Sequence, residues 1–226
     1  SYALMTMALG FVPILSQVFL PLLSATAGQN LKVEKKYLQW FGAAIIGLAL
    51  PTAVGGFILA APLTQFVFGS QYSGAGALFR WLTLTIVTGT AATYCGAQLI
   101  PNGREKKYFV SVLAGASTNV VLNLLLIPKY GALAAAFTTA ISQGVVALMN
   151  YYFVRDLTKP HLLNAVAKSV PATCVMALTI IFVQMFFPVH VLILVTLGGL
   201  TYFAAYAVSL VWLERISRPS PRIGLS

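Results

Sequence analysis

The chain has 226 residues, of which 59% are apolar and only 8% charged, with a formal net charge of +10; its mean hydropathy is +0.87. A soluble domain carries about 25% charged residues, so this composition excludes a soluble enzyme or binding module and predicts a polytopic membrane protein. The positive charge does not indicate a nucleic-acid binder: the basic residues lie in connections between apolar runs, not in a stripe interleaved with aromatics that could track a phosphate backbone.

In chain order, the first apolar run, residues 2–27, contains Pro13, Gln17, Pro21 and Ser24. No basic region precedes it, so no signal peptide is expected, and an opening at Ser1 without a cytoplasmic flank is expected of a fragment. A patch with Lys32, Glu34, Lys35 and Lys36 leads into a run over 37–68, too long for one upright span. Tyr37 and Trp40 suit the headgroup level, and Pro51 with Gly55 and Gly56 predicts a bend in mid-membrane. After a GSQYSG loop, the run 75–100 holds Thr83, Thr85, Thr88, Thr90 and Thr93, whose hydroxyls can bond their own helix. Arg104, Glu105, Lys106 and Lys107 precede the run 108–127, which meets the run 132–154 at a Pro-Lys-Tyr-Gly turn. A charged connection at 155–160 follows, then runs at 162–187 and 190–213, and a tail over 214–226 that is expected to be disordered.

Seven runs permit an orientation count. Alternate connections hold Lys32, Lys35, Lys36, Arg104, Lys106, Lys107, Arg155, Lys159, Lys168, Arg215, Arg218 and Arg222, leaving only Arg80 and Lys129 for the other side. Basic loops stay cytoplasmic, so residue 1 is expected outside and the C-terminus inside.

All four acids, Glu34, Glu105, Asp156 and Glu214, fall in connections, and no span contains a carboxylate. HExxH and GxSxG motifs are absent, His161 and His190 stand alone, and Cys95 and Cys174 read as small buried residues. Catalysis is therefore not expected; a carrier with kinked helices and a polar face at membrane depth is. That polar face is carried by Ser111, Gly115, Asn119 and Asn123, which recur every four residues on one side of a helix. Thr139, Gln143 and Asn150 are available as partners on the next helix. Such a face is either glue between helices or part of a solute site.

The segments FGSQYSGAGALFRWL, QLIPNGREKKY and NVVLNLLLIPKYGALAAAFTTAIS resemble the polysaccharide flippase family, the O-antigen and capsule-type transporters of the multidrug/oligosaccharidyl-lipid/polysaccharide superfamily. The resemblance covers residues 2–155. It implies an all-α polytopic protein whose seven transmembrane helices form the C-terminal lobe of a MATE-like flippase fold. Residues 1–155 would be five helices of the second lobe, 156–213 two further helices, and 214–226 a cytoplasmic tail. The implied activity is translocation of a lipid-linked oligosaccharide of the polyprenyl-pyrophosphate type across the cytoplasmic (inner) membrane by alternating access, for cell-surface polysaccharide synthesis. Partners would be that substrate, membrane lipids and the polysaccharide polymerase machinery, with no nucleic acid. A cation-coupled drug antiporter of the same superfamily and a non-transporting scaffold of polysaccharide assembly are the alternatives.

No cofactor is implied beyond a coupling ion, Na+ or H+. In the lipid II flippase branch a sodium site lies in the second lobe, and the resemblance carries it onto Asn119, Asn123, Thr139 and the carbonyl of Ala135. The sequence departs from that branch at Asn123, a position where that branch has an acid. For the substrate, Arg80 is a candidate for holding a pyrophosphate, with a side chain snorkelling to the headgroups as the simpler reading. Tyr94 and Gln98 are candidates for lining the cavity, with packing as theirs. Lys168 has the same two readings as Arg80, and Pro13, Pro21 and Pro51 are either hinges or fixed kinks.

Overall fold

The structure is a computed structural model, and it describes residues 10–29, 31–69, 71, 74–155, 157 and 162–217. The described residues form eight α-helices: α1 Phe11–Thr26, α2 Leu31–Ile58, α3 Ala60–Phe68, α4 Ala75–Leu99, α5 Glu105–Tyr130, α6 Ala132–Val154, α7 Leu162–Phe186 and α8 Val191–Ser217. Helices are what such apolar runs must form in lipid, because every backbone polar group has to be paired within the segment. The threonines of α4 follow the same rule. Thr83, Thr88, Thr90 and Thr93 all return their hydroxyls to carbonyls of their own helix.

The protein is thus all-α and polytopic, but among the described residues five helices rather than seven are long and apolar enough to cross a membrane: Lys32–Ile58, Glu105–Tyr130, Ala132–Val154, Ala165–Phe186 and Val191–Ser209. The described part of the first run, α1, has 16 residues, and residues 2–9 lie outside the described ones. Helix α4 has 25 residues, about 37 Å at 1.5 Å per residue, yet its threonines, Arg80 and Gln98 dilute its apolar character. It packs on both α6 and α2, with most of its polar residues buried between them and Trp81, Leu84 and Val87 exposed on its outer side.

Three local expectations shift. The second run breaks at Leu59, which has φ −88° and ψ 10° and separates α2 from α3, while α2 stays helical through Pro51, Gly55 and Gly56. The hairpin turn is shorter than Pro-Lys-Tyr-Gly, since α5 continues through Pro128 to Tyr130 and the chain reverses at Gly131. Finally, α8 runs on to Ser217, four residues into the expected tail, while residues 218–226 lie outside the described ones, as do Asp156, Lys159 and His161.

The helices stand in a row. Helix α4 packs on α6 and α2, α6 packs on α5, and α2 packs on α7, which pairs with α8; α1 lies against α2 and α4, and α3 against α4. The core between α1, α2, α4 and α7 is built from Leu23, Leu38, Phe41, Ile45, Tyr94, Cys95 and Ala165, with the Phe41 ring stacked on Tyr94 at 5.7 Å. Outward faces are apolar as well: Leu124 on α5 is 72% exposed and Met185 on α7 79%. Apolar on both faces is the pattern of helices solvated by lipid.

Candidate functional site

The spacing of Ser111, Gly115, Asn119 and Asn123 puts all four on one side of α5, and the reversal at Gly131 lays α6 along that side. Gly115 lets the helices touch: a Cβ there would stand 2.3 Å from Val146 Cγ2 and 3.2 Å from the Ser142 carbonyl oxygen. Small residues at such a crossing are the usual device for bringing helices together in lipid.

Around that crossing the polar side chains form one continuous chain of donors and acceptors. The Thr138 hydroxyl donates to Asn123 Oδ1. Asn123 Nδ2 donates to Asn119 Oδ1 at 2.9 Å, Asn119 Nδ2 to Ser142 Oγ at 3.2 Å, and Ser142 Oγ to the Thr139 carbonyl at 3.0 Å. The Thr139 hydroxyl donates to the Ala135 carbonyl at 2.7 Å. Closer to the other end of the hairpin, Ser111 donates to Asn150 Oδ1, and Asn150 Nδ2 donates to the Ala92 carbonyl of α4 at 3.0 Å. Both Ser111 and Asn150 are fully buried. The arrangement clasps α5 to α6 and α6 to α4, and unpaired amides in an apolar setting are what it avoids.

The four groups assigned to sodium by resemblance, Asn119, Asn123, Thr139 and the Ala135 carbonyl, are brought together in this clasp. Thr139 bonds within its own helix; its neighbour Thr138 is the threonine that reaches across to Asn123. Ser142, which the sequence reading passed over, links Asn119 back to α6. The donor set is made of amide, hydroxyl and carbonyl oxygens, the type a hard cation takes; each asparagine Oδ1 has a second lone pair beyond its hydrogen bond, whereas the Ala135 carbonyl already accepts from the Thr138 and Thr139 hydroxyls. No carboxylate belongs to it. Among the described residues no group of three His, Cys, Asp or Glu side chains could hold a metal.

The three candidate substrate residues do not converge. Tyr94 and Gln98 are buried one turn apart in α4, the Tyr94 hydroxyl donating to the Leu38 carbonyl at 3.3 Å and Gln98 Nε2 to the Tyr94 carbonyl at 3.1 Å. Arg80 is fourteen residues earlier, roughly 21 Å along the helix axis, and exposed, its guanidinium 5.8 Å from the centre of the Phe57 ring. A separate apolar cleft of about 370 Å³ opens between α2, α7 and α8, lined by Pro51, Gly55, Met176, Gly199 and Tyr202 among others.

The family described as "Polysaccharide biosynthesis protein" matches residues 1–77. The capsular polysaccharide biosynthesis protein CapF of Staphylococcus aureus is 28% identical over 150 residues, covering 65% of this chain and 37% of CapF. An uncharacterized membrane protein of Methanocaldococcus jannaschii is 28% identical over 109 residues, 48% of this chain and 18% of that protein. Among solved structures, the lipid II flippase MurJ in its inward closed conformation superposes with a TM-score of 0.75 over 94% of this chain and 47% of MurJ, at 18% identity. The chain therefore shares its fold with part of MurJ and spans less than half the length of each of these relatives.

Proposed function

We propose that this chain belongs to the polysaccharide-biosynthesis and flippase proteins of the multidrug/oligosaccharidyl-lipid/polysaccharide superfamily, as its similarities support, and that it is the C-terminal lobe of a non-catalytic transporter. The transporter moves a lipid-linked oligosaccharide across the cytoplasmic membrane by alternating access. The observation that carries this reading is the fold shared with a lipid II flippase over 94% of the chain. Similarity to a capsular polysaccharide biosynthesis protein supports the same direction of function. In this reading α1–α6 form the lobe proper and α7–α8 are appended to it through α2. Residue 1 lies outside and the C-terminus in the cytoplasm, as the distribution of Lys and Arg favours.

The coupling ion is part of the proposal. If it is sodium, Asn119, Asn123, Thr139 and the Ala135 carbonyl hold it, and its role is to bias one conformation of the hairpin by its charge. Without a carboxylate such a site binds weakly.

The test is reconstitution of the full-length protein into vesicles with a labelled polyprenyl-pyrophosphate oligosaccharide. Label reaching the opposite leaflet supports transport. Label that stays in place, while polymer assembly still requires the protein, points to the scaffold instead. A coupling role for sodium predicts a flipping rate that rises with sodium and no longer does so in Asn119→Ala.

A further inference from the structure

The end of the bundle where α7 turns into α8 holds a contact that the hairpin clasp does not involve. Helix α2 breaks at Leu59, and the short α3 that follows packs on α4. Gly76 lets it sit close, since a Cβ there would stand 3.1 Å from Ala61 Cα. Helices α7 and α8 pair with each other and are held to the rest mainly through α2. Leu59 and Leu63 share one apolar cluster with Val183 of α7, Val189 of the connection and Leu194 of α8. One turn beyond Leu63 and one residue beyond Val189, the rings of Phe66 and His190 meet edge to face, their centres 5.1 Å apart and their planes at 87°. This pair joins α3, and with it α4, directly to the start of α8.

His190 is also the N-cap of α8. Its carbonyl accepts from the Ile193 N–H at 2.9 Å, and its Nδ1 accepts from the Leu192 N–H at 3.4 Å. An imidazole nitrogen accepts only while it carries no proton. Imidazole is the side chain that ordinarily changes charge between about pH 5 and pH 8, and His190 is exposed. A proton on Nδ1 removes the cap's acceptor and also leaves a cation at the positive end of the α8 dipole. The attraction of that cation for the Phe66 ring is comparable with one of these losses, not with both. No other group takes over the titration. Among the described residues, α3, the connection 187–190, residues 175–186 of α7 and residues 191–201 of α8 hold no titratable side chain except His190. Helix α4 brings Arg80 to this end, where it lies 5.8 Å from the centre of the Phe57 ring; Tyr72 lies outside the described residues.

We infer that Phe66 and His190 form a proton-sensitive latch between α3 and the α7–α8 pair, closed while His190 is neutral and released when it is protonated. On the topology proposed above, the latch lies at the outer surface and responds to the pH outside the cell. The latch itself stands on the contact geometry, so it holds or fails independently of transport.

The experiment places spin labels on Val67→Cys in α3 and Ile193→Cys in α8, both exposed positions, in full-length protein in detergent whose other cysteines are replaced by alanine. Pulsed electron resonance should give one short distance at about pH 8 and a second, longer one as the pH falls to about 5. The open fraction is expected to rise about fivefold, equivalent to about 1 kcal/mol. His190→Asn keeps an N-cap acceptor without a titrating group, so its distances should be the same at both pH values. Phe66→Ala, which removes the ring contact, should show the longer distance already at about pH 8. Both side chains are exposed, so neither variant threatens the fold. Wild-type distances that do not change with pH, or that shorten on acidification, overturn the inference. So does a full pH response in His190→Asn, or a closed seam in Phe66→Ala.

Discussion

Asn150, in the buried face of α6, donates from Nδ2 to the backbone carbonyl of Ala92 on α4 at 3.0 Å. Its Oδ1 accepts from Ser111 on α5, so one side chain holds three helices at one point. Interhelical hydrogen bonds in lipid contribute on average about 0.6 kcal/mol and at most about 1.7 kcal/mol each. Asn150→Leu, close in volume but without polar atoms, is expected to destabilise the full-length protein by about 1–3 kcal/mol, through two lost bonds and imperfect repacking. Ser111→Ala should cost about 1 kcal/mol. Unfolding in detergent against a denaturant series measures both. Equal losses in the two variants would mean that the Ala92 bond contributes nothing.

The clasp at the other end of the hairpin separates two adjacent threonines. Thr138 bonds Asn123 across the interface, whereas Thr139 bonds the Ala135 carbonyl of its own helix. Thr138→Val, which keeps the shape and removes the hydroxyl, should destabilise by about 1 kcal/mol, leaving Asn123 Oδ1 short of its donor. Thr139→Val should be nearly silent in stability. If sodium is held there, Thr139→Val instead lowers sodium-dependent stabilisation while leaving the sodium-free protein unchanged. A thermal-stability series in sodium against potassium distinguishes the two.

How much of this was legible in the sequence depends on the kind of information needed. The polar stripe of α5 was readable because an i, i+4 repeat fixes a face whatever the helix packs on. Which threonine meets it was not, because a shift of one residue turns a side chain by about 100°, and the rotation of α6 is set by contacts such as Gly115 against Val146. The same limit applies to Tyr94 and Gln98. Their polar atoms left cavity lining and packing both open; the Tyr94 hydroxyl bonds the Leu38 carbonyl of α2 and Gln98 the Tyr94 carbonyl of its own helix, contacts that the rotation of α4 sets. Pro51 does not end its helix: proline removes one hydrogen bond, which a long helix with packed neighbours can carry, and the helix breaks at Leu59.

Gly131 is the residue that makes the hairpin possible. Its φ of +59° and ψ of −139° lie where a side chain is strained, and its N–H closes the last turn of α5 on the Ile127 carbonyl at 2.8 Å. Nothing lies within 4 Å of a Cβ built there, so the penalty of Gly131→Ala is purely conformational, on the order of 1–3 kcal/mol. Proteolysis at the connection and the unfolding midpoint would register it. A neutral Gly131→Ala would show that the turn relaxes to another backbone path.

The contact between Gly115 and Val146 permits a compensation test. A methyl group at 115 would overlap Val146 Cγ2 at 2.3 Å and crowd the Ser142 carbonyl at 3.2 Å. Valine is stiff at χ1, so it cannot swing aside, and the helices must separate. Gly115→Ala is therefore expected to cost about 1–3 kcal/mol, partly through loosening the Asn119–Ser142 bond one turn away. Val146→Ala alone makes a small void at the same place. The two together restore the fit, so the double variant should be more stable than Gly115→Ala alone and the coupling energy of the cycle should be favourable. Simple additivity would mean that the helices do not meet at this pair, and the hydrogen-bond chain built around the crossing would lose its support.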